Sequence, residues 1–158
     1  MLYLICISGL DSEPFIWPGD AQAFLINGKG MFDGCVADPS NPACDPAGCT
    51  VENYHASIPV SHNKTYLFRI INAASFVAVN FAIAEHKMTI VRVEGTYVEP
   101  LEVPNLDINT AQRYDVLVAT DQAPDTSYWV STTTRHRSGV MGHAYLQYDG
   151  ATPPSDSD

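Results

Sequence analysis

The sequence predicts an all-β domain of two packed antiparallel sheets, a Greek-key sandwich or barrel, on three observations. Val, Ile, Tyr, Phe and Thr gather in short runs, Gly, Pro, Asn and Asp separate those runs, and no stretch sustains a helical period of 3.6 residues. Without helices to cover both faces of a parallel sheet, a βαβ arrangement is disfavoured, and two sheets that bury their apolar faces against each other remain.

Candidate strands follow in chain order at residues 23–26, 57–60, 64–72, 77–84, 88–94, 106–108, 113–119, 128–134 and 144–148. In the third, Tyr66, Phe68 and Ile70 alternate with Leu67, Arg69 and Ile71, so one face is apolar and the other mixed. Tyr114, Val116 and Val118 alternate with Asp115 and Leu117 in the same way. After the first candidate strand, Asn27 and Gly28 tolerate positive φ and predict a tight turn. The stretch 33–50, with Pro39, Pro42, Pro46 and three cysteines, reads as a stapled loop. Residues 1–14 fit no pattern, 15–150 form the domain, and 151–158 read as a linker or frayed tail.

A chain of 158 residues supports one hydrophobic core, and 46% hydrophobic against 16% charged residues is a globular composition. The formal charge of -10 repels phosphate backbones and anionic lipid, so neither nucleic acid nor a membrane surface is expected as a partner. No apolar run approaches the roughly 20 residues that span a bilayer. The first ten residues lack the basic region of a signal peptide. The four cysteines and the sequon at Asn63, Lys64 and Thr65 nevertheless point to the secretory route, a tension that a fragment of a longer secreted protein resolves.

Chemistry is sparse. None of the five histidines forms a His-x-His pair, the spacing that sets two imidazoles on one face of a strand, and all four cysteines precede residue 50. A blue copper centre needs a thiolate with two imidazoles, so His136, Met141 and His143 only resemble a ligand loop, and a polar hairpin over 135–139 is the plainer reading. No Gly-x-Ser-x-Gly elbow or phosphate-binding glycine loop is present, and the acids Asp33, Asp38 and Asp45 lack calcium-loop spacing. Cys35 and Cys44 enclose eight residues, a span that closes without strain, and Cys49 then has only Cys6 within the chain. Four cysteines allow three pairings, among which spacing does not choose.

Five segments in order resemble the second, plastocyanin-like domain of multicopper oxidases of the ascorbate oxidase and laccase kind. They run from Trp17 to Asp33, Asn80 to His86, Val93 to Pro100, Leu106 to Val118 and Tyr128 to Ser131, and together cover about residues 15–150. The resemblance implies a cupredoxin-like fold and a secreted parent enzyme that oxidises ascorbate or phenol-like substrates while reducing dioxygen to water. It also implies that copper sits in the first and third cupredoxin domains, the partners of this one, with none here. The chain would then be a spacer and cleft wall, inactive alone and open to self-association when isolated.

Residue by residue, Trp17 matches a tryptophan beside the reducing-substrate pocket. Cys35 and Cys44 match a mutually bonded pair, and Cys49 matches a cysteine bonded to the first domain. His86 matches a histidine that binds no copper and holds a turn, and Glu94 with Gly95 stands where the family has an Asp-Gly turn. Asn63 is the expected glycosylation site. Two other readings are a stand-alone secreted binding module without catalysis and a small metalloprotein using His136 and His143.

Overall fold

The computed structural model describes residues 23–30, 55–135 and 141–153, and among them every regular element is a strand. The strands are β1 (Ala56–Val60), β2 (Thr65–Ile71), β3 (Val79–Ile83), β4 (Met88–Val93), β5 (Thr96–Val103), β6 (Asn105–Ile108), β7 (Arg113–Ala119), β8 (Ser127–Thr134) and β9 (Met141–Tyr148). They form a five-stranded sheet in the order β1-β9-β8-β3-β6 and a four-stranded sheet in the order β2-β7-β4-β5. The core lies between the sheets, where Met88, Val116, Val118, Val130, Leu146 and Tyr148 are excluded from solvent. Period-two alternation produces this directly, since one set of side chains on each strand faces the other sheet.

The strands differ from the sequence expectation in four respects. Residues 23–26 are not a strand: Ile26 and Lys29 make one isolated antiparallel bridge around Asn27 and Gly28, whose φ values of 50° and 81° form the expected tight turn. Phe24 still enters the core, because Gly142 on β9 lets it approach closely. The second difference is β5, which the sequence reading missed. Its residues are exposed almost throughout, so it shows no alternating apolar signal, and Pro100 is tolerated because β5 lies at a sheet edge.

The third difference is that β1 pairs with β9 in parallel, Ala56 opposite Ala144, so the five-stranded sheet is mixed. A parallel pair needs a long connection, and the whole intervening domain supplies it. Lastly, β9 starts at Met141, three residues before the expected boundary.

A bulge at Val91 sets the outer face of the four-stranded sheet. Ile90 lies opposite Val116 and Arg92 opposite Asp115, leaving Val91 as the extra residue. Strict alternation would bury Arg92; the bulge turns Arg92 outward and Val93 toward the core. The buried side chains of Asn72 and Thr120 are satisfied. Asn72 donates through Nδ2 to the carbonyls of Val77 (2.9 Å) and Ile108 (3.0 Å), and Oδ1 accepts from the Ala74 amide. Thr120 Oγ1 donates to the Ser61 carbonyl at 2.7 Å and accepts from the Lys64 amide at 3.1 Å. Past Gly150, Ala151 is buried and the Thr152 carbonyl accepts from Ser127 Oγ.

Candidate functional site

Residues with chemical capacity come together in three places. The first is buried: His86, in the turn between β3 and β4, lies against Tyr128 and Tyr148. Its Nδ1 is 2.7 Å from the Ala84 carbonyl, which can only accept, so in the neutral ring Nδ1 carries the proton. Nε2 then accepts from the Tyr148 hydroxyl at 2.8 Å. Tyr128 meets the imidazole edge-on at 4.9 Å and donates to the Ala123 carbonyl. Burial pushes the hydroxyl pKa of both tyrosines above the ordinary value, helped at Tyr128 by the negative charge of Glu85. Both ring nitrogens of His86 are engaged, so it serves as the hydrogen-bonded turn histidine that the sequence suggested.

The second place was not foreseen. Parallel pairing of β1 with β9 brings His55, just before β1, beside His143, with ring centres 6.1 Å apart and planes within 13°. Trp129 on β8 closes the group at 5.2 Å from His55 and 5.6 Å from His143. No His-x-His motif sets two imidazoles on one face of a strand in this chain; His55 and His143 come together instead through a parallel register offset by 88 residues. Sequence spacing carries no signal for such a pair, because only the register creates it. Among the described residues no group of three or more His, Cys, Asp or Glu stands close enough to share a metal ion. Two imidazoles beside an indole make a stacked aromatic cluster.

The third place is the outer face of the four-stranded sheet. Arg92 forms an ion pair with Asp115 at 3.2 Å, donates to the Tyr97 hydroxyl, and lies over the Tyr97 ring with its guanidinium carbon 4.2 Å from the centre. Arg113 pairs with Glu94 at 2.6 Å. Glu94 and Gly95, at φ 50° and 84°, make the tight β4–β5 turn that the sequence predicted there.

Of the residues singled out from sequence, Asn63 lies in the β1–β2 turn, exposed, at φ 57°. Its amide donates to the Thr120 carbonyl at 2.7 Å. Met141 and His143 belong to β9 itself, on the same outward side, rather than to a ligand loop. Trp17, Cys6, Cys35, Cys44, Cys49, the stapled loop and His136 lie outside the described residues. A cavity of about 360 Å³ opens between the sheets beside the 23–30 hairpin, bordered by Phe24, Phe68, Ile70 and Phe81. Its lining is mostly apolar, with Asn27, Arg69, Asn72 and Thr132 as the polar members, and offers no converging set of acid–base groups.

Two facing sheets with this strand order and an interior of alternating apolar residues define a cupredoxin-like sandwich. The multicopper oxidase family model matches residues 8–151, and the chain belongs to that family. It is 38% identical over 146 residues to L-ascorbate oxidase of Cucurbita pepo var. melopepo, covering 89% of this chain and 26% of that enzyme. It is 34% identical over 130 residues to laccase-2 of Thanatephorus cucumeris, covering 82% of this chain and 20% of that enzyme. A solved laccase from B. aclada superposes with a TM-score of 0.65 at 25% identity, over 84% of this chain and 24% of that one. The chain thus spans about a quarter of the length of the curated relatives it matches.

Proposed function

We propose that this chain is the copper-free middle domain of a secreted multicopper oxidase, acting as a spacer and as one wall of the substrate cleft. The observation that carries the reading is positional. The family match fills nearly the whole chain yet only a quarter of its relatives' length, and every cysteine precedes β1. A thiolate copper site late in the sandwich has no thiolate to use. His86 is committed to Ala84 and Tyr148, which supports a structural role for it.

In this reading copper belongs to the first and third domains. Trp17 contributes an apolar face to the reducing-substrate pocket, Cys35 bonds Cys44, and Cys49 reaches a cysteine of the first domain. Asn63 carries the glycan. The parent enzyme takes electrons from ascorbate or phenol-like substrates and delivers them to dioxygen.

Sequencing the full transcript tests the assignment. Coding sequence for His-x-His segments upstream and a His-Cys-His segment downstream is expected. A transcript that encodes this domain alone would replace the proposal with a stand-alone secreted module.

A further inference from the structure

The outer face of the four-stranded sheet has a composition that the core does not require. Leu67 and Ile71 on β2, Leu117 on β7 and Tyr97 on β5 point away from the core with exposures of 48%, 62%, 36% and 74%. Arg69, Arg92 and Arg113 stand among them, and none of the four strands contributes a lysine. Register aligns Arg69, Asp115, Arg92 and Tyr97 in one row across the sheet, with Leu67 opposite Leu117 in the next. Arg92 and Arg113 are matched by Asp115 and Glu94, whereas Arg69 has no ion-pair partner among the described residues. A hollow of about 340 Å³ lies among Arg69, Ile71, Arg92, Gly95, Arg113 and Asp115.

Arginine, tyrosine and aliphatic side chains without lysine are the composition of a protein-binding surface rather than of a solvated one. We propose that this face docks a neighbouring domain of the same polypeptide, through a surface that places a carboxylate in the hollow at Arg69 and apolar side chains over Leu67, Ile71 and Leu117. The inference rests on the chain being one domain of a multicopper oxidase. Charge selects the occupant. Two copies meeting face to face would set arginine against arginine around a hollow that already lacks one carboxylate. A head-to-tail contact with the acidic remainder of a second copy would not close and would grow into chains. A covalently linked neighbour that offers a carboxylate meets neither obstacle.

Carbene footprinting of the isolated chain and of the full multidomain oxidase tests this. Labelling of Leu67, Ile71, Tyr97 and Leu117 is expected to fall by about fivefold or more in the oxidase, as for residues withdrawn from solvent at an interface core. Arg69→Gln, which sets no second carboxylate against Asp115, should restore labelling in the oxidase while leaving the thermal midpoint of the isolated chain unchanged. Equal labelling in both proteins overturns the docking face and leaves the domain assignment standing. Protection that appears in the isolated chain as its concentration rises makes a second copy the occupant and also overturns it. A transcript without the copper-binding segments removes the domain assignment itself, and this inference with it.

Discussion

Tyr148 donates its hydroxyl hydrogen to Nε2 of His86, joining the last strand to the β3–β4 turn across 62 residues at 2.8 Å. Neither group has water as an alternative, since Tyr148 is fully buried and His86 nearly so. Tyr148→Phe leaves the imidazole acceptor unpaired and is expected to cost about 1–3 kcal/mol. The urea midpoint should fall with the slope unchanged; an unshifted midpoint would show that the bond contributes nothing.

Alkaline pH acts on the same cluster. Burial raises the hydroxyl pKa of Tyr128 and Tyr148, so above about pH 10 the unfolded chain binds fewer protons than the native protein. Their contribution is complete below that value and is lost as pH rises through the folded-state pKa values. Absorbance at the tyrosinate band, followed with circular dichroism, should show these two rings ionising together with unfolding. Full ionisation of all tyrosines while the sheets stay intact would contradict this.

Gly142 holds a close contact. A Cβ there would lie 2.6 Å from Thr132 Oγ1 and 2.7 Å from Phe24 Cβ, both below van der Waals separation. Gly142→Ala is therefore expected to lower stability by about 1–3 kcal/mol through overpacking. Differential scanning calorimetry reads the loss, and a rise in midpoint would mean that Phe24 is not seated on β9.

The sequon turn is accessible. Asn63 and Thr65 are both exposed, and Thr120, which accepts from the Asn63 and Lys64 amides, holds the turn from beneath. Expressed through a eukaryotic secretory pathway, the chain should carry a glycan that peptide-N-glycosidase removes and that Thr65→Ala abolishes. An unmodified Asn63 in secreted material would end the assignment.

Copper should not be retained. After dialysis against a mild chelator, the purified chain is expected to hold no stoichiometric copper, to lack the thiolate band near ~600 nm of a blue copper site, and to consume no oxygen with ascorbate. Weak Cu(II) capture at exposed imidazoles is colourless in that region and does not alter the expectation. One tightly held copper per chain with measurable turnover would sink the spacer reading.

Alternation at Tyr66, Phe68 and Ile70, and at Tyr114, Val116 and Val118, made β2 and β7 legible in the sequence with the right face inward. The Asn27–Gly28 turn was legible because its conformation needs residues that tolerate positive φ, whereas the Glu94–Gly95 turn was legible only through the family resemblance. What escaped depends on partners. β5 gains its strand character from hydrogen bonds to β4 alone, His55 meets His143 only through the β1–β9 register, and Arg92 faces outward only because of the bulge at Val91. None of these leaves a periodic mark on the chain itself.

The parallel pairing of β1 with β9 also imposes an order in time. Ser57 Oγ donates to Gln147 Oε1 across 90 residues, so the edge of β1 has no mate until the end of the domain has left the ribosome. At ordinary synthesis rates that wait is roughly 5–18 s, long against hairpin formation at about 1–10 μs. The four-stranded sheet, complete by Ala119, can assemble meanwhile, and the five-stranded sheet must close last. Slow synthesis through the last 30 or so residues would therefore prolong the interval in which an unpaired strand is open to the wrong chain.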